Sequence, residues 1–258
     1  MPVISERELL DTMAEFLWVF FRVGGFLMVA PMFGARYVPA RVRILVAFAL
    51  SLALFPVLQV DAQVTLFSIA GFVVAIQQVL IGLACGFIMQ LAFDAVVIGI
   101  QTVSMSMGLG FAVLVDNQSG IQVPTLSQQY LLLAILLFNA MNGHLMVIEL
   151  MVESFALVPP GDGILAGEDF WRVMEWGTTM FAGAVKIALP AATAVLIVNV
   201  SVGVISRAAP TLNLFAIGLP MTILSGFVVL FLTLPSLTDS IRYLVRESAR
   251  SVFALLGG

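Results

Sequence analysis

Eight ionisable side chains lie within or at the ends of long apolar runs: Glu15, Arg22, Asp94, His144, Glu149, Glu153, Lys186 and Arg207. A charge in hydrocarbon is costly, so each is a functional candidate, and the chemistry in view is pairing with an opposite charge or contact with a substrate. Those near helix ends have a blander use, extending to water along their own methylene stems. Lys186 sits about two turns inside its run, in FAGAVKIALP, and requires a carboxylate or carbonyl partner, which another subunit could supply. Arg22 follows Glu15 by seven residues, which puts both on one helical face but two turns apart, too far for a direct pair. Glu149 and Glu153 are four apart and would repel each other if both were buried and ionised, so they are expected to reach water. For Lys186 and Arg207 the expected role is structural pairing across subunits rather than substrate chemistry.

Catalysis finds little support among these groups. His144 is the only histidine, Cys85 the only cysteine, and no H-E-x-x-H occurs, so the usual zinc constellations cannot be assembled within this chain. Ser119 with His144 would be a hydrolase dyad only in name, because DNQSG lacks the G-x-S-x-G elbow and its serine reads as a turn cap. His144, in NAMNGHLM, reads as a hydrogen-bonding residue toward a neighbouring helix. There is no P-loop or dinucleotide fingerprint. The expectation is a protein that is not an enzyme and holds no cofactor or metal. Cys85, in LIGLACGFIM, reads as a small buried apolar residue.

The elements that must position these residues are membrane helices. The chain has 258 residues, 61% of them hydrophobic and 10% charged, with a mean hydropathy of +1.12, whereas about a quarter of the residues of a soluble domain are charged. A formal net charge of −4 and scattered arginines leave no basic footprint for nucleic acid. The start, MPVISERELLDTMAEF, lacks the basic opening and cleavage site of a signal peptide and is expected to stay on the mature protein. Apolar runs extend over about Thr12 to Phe33, Val42 to Val60, Val64 to Phe93, Leu126 to Leu150, Thr178 to Ile205 and Leu214 to Leu234. Each approaches or exceeds the roughly 20 residues that cross a hydrocarbon core, giving about six long helices in an all-α polytopic fold. A seventh stretch, Ala95 to Val115, is weaker. Arg36, Arg41 and Arg43, like Arg242, Arg246 and Arg250, should lie in the cytoplasm, and the acidic interval Pro159 to Gly177 outside. Six regular spans cannot satisfy all three, so some apolar segments are expected to be re-entrant hairpins or to pack against protein.

One stretch narrows the function further. Between Ser201 and Pro220 the chain reads SVGVISRAAPTLNLFAIGLP, where Arg207, Pro210, Asn213 and Pro220 crowd together between apolar runs. Proline removes backbone hydrogen bonds and arginine resists desolvation, so no lipid-buried helix needs this combination. The string, with Phe215 and Gly218, resembles the R-x-x-P-x-x-N-x-F-x-x-G-x-P signature of the FliR family of type III secretion export gates. Thr211 stands where glutamine is usual in the family and Leu219 where phenylalanine is usual. The resemblance continues in VPARVRILVAFALSLALFP, in the D-x-Q-S-G-x-Q-V-P pattern from Asp116, and in GH followed by SF-x-x-VP from Gly143 to Pro159. Asn117 occupies a position where the family often has proline.

The resemblance implies a single membrane-embedded subunit over residues 1–258, one copy per complex, in a helical assembly with FliP-like and FliQ-like subunits. It also implies FlhB-like and FlhA-like export components as neighbours, unfolded export substrates as cargo, and a place in the bacterial inner membrane within the flagellar basal body. Much of such an assembly is drawn up out of the membrane plane, where hydropathy misleads. Residues 236–258 would form an amphipathic C-terminal tail. The segment Ser104 to Gly120, SMSMGLGFAVLVDNQSG, matches the family's channel plug: Met105, Met107, Leu109 and Phe111 would seal, and Asp116, Gln118, Ser119 and Gly120 would anchor the turn. Flexible thioethers with Gly108 and Gly110 suit a gasket, but an ordinary helix-to-loop transition uses the same residues. Two other readings stay open: a stand-alone secondary transporter with broken helices around Pro190 and Pro210 and an anion site at Arg207, and the equivalent subunit of a virulence secretion system. A scaffold role for a ring is compatible with the gate.

Overall fold

The computed structural model describes residues 6–33, 38–58, 60, 64–110, 125–162, 167–208 and 214–257. Seven helices make up the described chain: α1 Glu6–Val29, α2 Ala40–Leu54, α3 Ile69–Ser106, α4 Thr125–Ala140, α5 Gly143–Leu157, α6 Gly167–Ala208 and α7 Leu214–Leu255. No strand occurs among the described residues.

The expected count of six long spans is not what forms. Among the described residues four helices are long and apolar enough to cross a membrane, with a fifth span if the broken pair α4–α5 counts as one. Three local causes account for the difference. From Ile69 to Ser106 there is no proline and Asp94 is the only charge, so nothing stops a helix once Ser68 has capped it. The Ser68 hydroxyl accepts the Gly71 N–H at 2.9 Å and donates to the Thr65 carbonyl at 2.7 Å, and two expected segments merge into one helix of 38 residues, roughly 57 Å long. That is nearly twice the roughly 30 Å of a hydrocarbon core. The run after Val42 instead yields a helix of 15 residues, ended where Pro56 follows Phe55 and withdraws a donor. The run after Leu126 breaks at Asn142, whose φ of 59° is left-handed, a conformation asparagine tolerates better than most residues.

The acidic interval is also shorter than expected, because α6 begins at Gly167 and absorbs its second half. Glu168 and Asp169 occupy the first turn of α6 and Arg207 the last, the arrangement that the helix dipole favours. Pro190, Pro220 and Pro235 are carried inside α6 and α7 without ending them. Hydroxyls along the helices mostly donate to the carbonyl one turn back, as in Thr193 to Leu189 at 2.6 Å and Ser201 to Ile197 at 2.8 Å. Apolar surroundings therefore meet no unsatisfied hydroxyl at these positions.

The chain divides into two compact units. The first comprises 1–91, 139–177 and 246–258. In it α1 packs on α2 through a ring cluster in which Phe16 meets Phe48 at 5.5 Å and Phe55 at 5.8 Å, both edge to face. Against the first half of α3, α1 comes backbone to backbone. A Cβ at Gly82 would run into the Arg22 carbonyl oxygen, one at Gly86 into that of Phe26, and one at Gly25 into that of Val79. This is the small-residue contact that lets membrane helices approach closely. Cys85 lies between those glycines, free and buried as expected. Gly82→Ala, whose new methyl meets main chain rather than a movable side chain, is expected to cost about 1–3 kcal/mol, read as a lowered thermal midpoint in detergent. Gly24→Ala, which would meet nothing within 4 Å, is the matched change expected to leave the midpoint in place.

The second unit comprises 92–138 and 178–245. Phe93 of α3 meets Phe138 of α4 edge to face at 5.5 Å. Gly99 brings α3 against Ala184 and Ile187 of α6, and Gly183 brings α6 against Leu244 of α7. The most apolar windows of α6 and α7 are each only 22% buried, against 50% for α3, so these two helices present the broadest surfaces for lipid or other subunits.

Candidate functional site

The C-terminal end of α3 is built to stop and turn. Gly108 has φ 83°, its N–H donates to the Met105 carbonyl at 3.1 Å, and the Leu109 N–H reaches back to the Ser104 carbonyl at 3.2 Å. This pair of bonds around a left-handed residue is a Schellman motif, and glycine is the residue that adopts it without strain. Side chains from two other helices fasten the turn. Thr222 of α7 shares its one hydroxyl proton between the Leu219 carbonyl at 3.0 Å and the Met107 carbonyl at 3.3 Å, and the Asn199 amide of α6 donates to the Ser106 carbonyl at 3.3 Å. Those interactions occupy carbonyls that a helix end otherwise leaves unpaired.

The two methionines differ in placement. Met107 is 0% exposed and fills the space left by the absent side chain of Gly226 on α7. Met105 is 59% exposed, and its sulfur lies where a Cβ of Gly110 would be. Leu109 is half-buried. Beside Met105 a groove of about 610 Å³ runs along α3 to the start of α4, lined with Gln101, Thr102, Ser106 and Ser127 as its polar groups. Ser127 donates to Gln101 Oε1 across it at 3.3 Å. The groove offers hydroxyls and an amide without a nucleophile–base pair, so its chemistry is hydrogen bonding. Phe111, Asp116, Gln118, Ser119 and Gly120 lie outside the described residues, as do Pro210 and Asn213, while Phe215, Gly218 and Pro220 fall in the first turns of α7.

The charged candidates separate cleanly. Glu149 and Glu153 are exposed, as expected from their mutual repulsion, and so are Arg207 and Lys186. Lys186 was expected to need a carboxylate or carbonyl. Among the described residues it meets instead the Tyr243 ring, with Nζ 5.3 Å from the centroid. His144, expected to bond a neighbouring helix, is exposed and has no hydrogen-bond partner among the described residues.

Among the described residues Arg22 is the buried charge, and its acceptors are an amide oxygen, a hydroxyl and main-chain carbonyls rather than a carboxylate. Its residue is 0% exposed. Nε donates to Gln78 Oε1 at 2.8 Å, Nη1 to the Ser154 carbonyl at 2.5 Å and its hydroxyl at 3.3 Å, and Nη2 to the Val158 carbonyl at 2.6 Å. Its guanidinium lies 4.0 Å from the centre of the Phe155 ring. Ser154 and Val158 are the C-terminal end of α5, where Pro159 follows and the carbonyls carry the negative end of the helix dipole. Arg22 thus caps α5 from α1 while gripping α3 through Gln78. Main-chain acceptors 132 and 136 residues away leave no side-chain signature. The one sequence signal was the proline stop after SFALV, which marks a helix end in want of donors.

Comparison with known proteins covers nearly the whole chain. The family model "Bacterial export proteins, family 1" matches residues 13–248. The chain is 34% identical over 244 residues to "Flagellar biosynthetic protein FliR" of Escherichia coli (strain K12), covering 95% of this chain and 93% of that protein. It is 32% identical over 256 residues to the protein of the same name from Pectobacterium carotovorum subsp. carotovorum, at 99% and 96% coverage. Against the one from Bacillus subtilis (strain 168) the identity is 28% over 263 residues, at 97% and 99% coverage.

Proposed function

The chain belongs to the FliR family of bacterial export proteins, and from that premise we propose that it forms and seals part of the channel through which unfolded flagellar proteins leave the cell. It is a multi-pass membrane protein of the flagellar export apparatus. The observation that carries the reading is the match along almost the entire length, in relatives named for flagellar biosynthesis. The membrane concerned is the bacterial inner membrane. One copy works with FliP-like and FliQ-like subunits, beside FlhB-like and FlhA-like components, and the thinly buried faces of α6 and α7 are the surfaces those subunits would cover.

Sealing is assigned to Met105, Met107, Leu109 and Phe111, with Asp116, Gln118, Ser119 and Gly120 anchoring the return of the chain. The Schellman turn at Gly108 supports this, because it ends α3 at a fixed point and delivers the following residues from there. Bulky apolar side chains close a pore by excluding water, and an ion must lose its hydration to cross a dry constriction. Lys186 and Arg207 are assigned to pairing across subunits, and Pro210, Asn213, Phe215, Gly218 and Pro220 to shaping the junction between α6 and α7.

The test is to tag the full-length protein in its own bacterium, solubilise in mild detergent and identify what comes with it by mass spectrometry. FliP-like and FliQ-like membrane proteins are the expected companions, and deletion of the chain is expected to abolish motility and secretion of flagellar subunits. A stable homodimer without companions, in cells that swim normally after the deletion, would remove the proposal.

A further inference from the structure

We propose that Asn199 and Thr222 are positioning residues for the seal: through them α6 and α7 each hold one carbonyl at the end of α3, and parting of the two helices at this point releases the turn. The proposal rests on the reading of the chain as a gate subunit and adds how its seal is held and let go.

The last turn of α3 is gripped from two sides. On α7, Thr222 and Gly226 are four residues apart and share one helical face. Both engage the same residue of α3. The Thr222 hydroxyl reaches the Met107 carbonyl at 3.3 Å, and the Met107 thioether occupies the space over Gly226. On α6, the Asn199 amide takes the neighbouring carbonyl, that of Ser106, also at 3.3 Å. Adjacent carbonyls of one turn are therefore tied to different helices, and the turn that Gly108 closes keeps its place only while α6 and α7 hold their present separation.

These ties can let go at small cost. Both join neutral groups, and both are longer than the roughly 3.2 Å at which such bonds usually end. Thr222 also has an acceptor on its own helix, the Leu219 carbonyl at 3.0 Å, so its proton stays bonded when α3 leaves. Asn199 is exposed on α6, and its side chain turns away without opening a packed core. The guanidinium of Arg22 is the opposite case, a fully buried fastening whose loss strands several acceptors. Among the four long apolar helices, α6 and α7 have the least buried windows, 22% each. A neighbouring subunit displaced by passing cargo thus acts directly on both arms of the catch.

The experiment measures ion conductance of membranes carrying the complete complex, per amount assembled. Thr222→Val keeps the shape and removes the donor, and Asn199→Leu does the same on α6. Each is expected to raise conductance about two- to tenfold, the weight of one neutral hydrogen bond, and the double variant more than either. Thr222→Ser, which retains a hydroxyl, should stay tight, as should Thr193→Val, whose hydroxyl donates within α6 to Leu189. Ser106→Cys combined with Asn199→Cys, joined by a short bismaleimide while the native Cys85 stays buried, should lose its leak and stop secreting flagellar subunits. Wild-type conductance per assembled complex in Thr222→Val, Asn199→Leu and their combination would overturn the catch, even if less complex assembled, because the two residues would then be structural ties only. Normal secretion through the cross-linked pair would overturn it as well. A leak from Met107→Ala in the same assay would show that the seal reading survives that failure, whereas tight membranes there and after deletion of Gly108 to Leu114 would remove the seal reading itself.

Discussion

Replacing Arg22 with methionine is expected to destabilise the protein by about 2–5 kcal/mol, because it leaves buried acceptors without donors at about 1–3 kcal/mol each. The Ser154 carbonyl would keep one partner, the Val158 N–H at 3.1 Å. The Val158 carbonyl and Gln78 Oε1 would lose the donations they receive from Arg22. Removing the cation also removes the cost of desolvating it, which tempers the loss. Retention is the more telling case. Arg22→Lys keeps the charge but supplies one compact ammonium where the guanidinium reaches three residues in different directions, so it should recover only part of the stability. Both variants are to be compared by yield of folded protein in detergent, thermal midpoint and swimming on soft agar. A wild-type midpoint in Arg22→Met would show that α5 needs no cap from α1.

The second large effect is expected at the notch that seats Met107. Gly226→Leu puts a side chain where the Met107 thioether lies, and Met107→Ala empties the same space. Fully burying a methionine is worth roughly 1.5–3 kcal/mol. If that burial holds the end of α3 in the sealed arrangement, losing it shifts the closed-to-open ratio by about ten- to a hundredfold. Deleting Gly108 to Leu114, or changing Met105, Met107 and Phe111 together to alanine, should let ions through at least as freely. Conductance of membranes carrying equal amounts of assembled complex is the measurement, with slowed growth on overproduction as its cellular counterpart. Leu232→Ala, at a residue 69% exposed on α7, is the comparison expected to stay tight. Equal tightness in all of them would assign the seal to another subunit and leave Ser104 to Gly120 as a packed turn.

Some of the architecture was legible because it depends on local chemistry. The small buried Cys85, the water-seeking Glu149 and Glu153, and the glycine turn at Gly108 all follow from backbone or solvation rules that act over a few residues. The number of spans was not legible. Hydropathy records how apolar a residue is, and two apolar segments joined by a helix-tolerant Asp94 look the same whether they form two spans or one helix longer than a bilayer.

Sequence by itself determined that this is an all-helical membrane protein and which family it belongs to, since composition sets the solvent and the motif from Arg207 to Pro220 is carried by residue types in order. It also determined where charge would be scarce enough to matter. Only the tertiary structure decided which of those charges is buried and on what. Arg22 is satisfied by main-chain carbonyls at the end of α5 and by Gln78, Met107 is seated because Gly226 has no side chain, and Lys186 faces a tyrosine instead of an acid. Each of these joins segments tens to more than a hundred residues apart, and the Ser154 and Val158 carbonyls and the bare Gly226 act through groups that every residue possesses or through a side chain that is missing. Neither a carbonyl nor an absence leaves a mark in the order of amino acids, so the pairing is settled only when the helices pack.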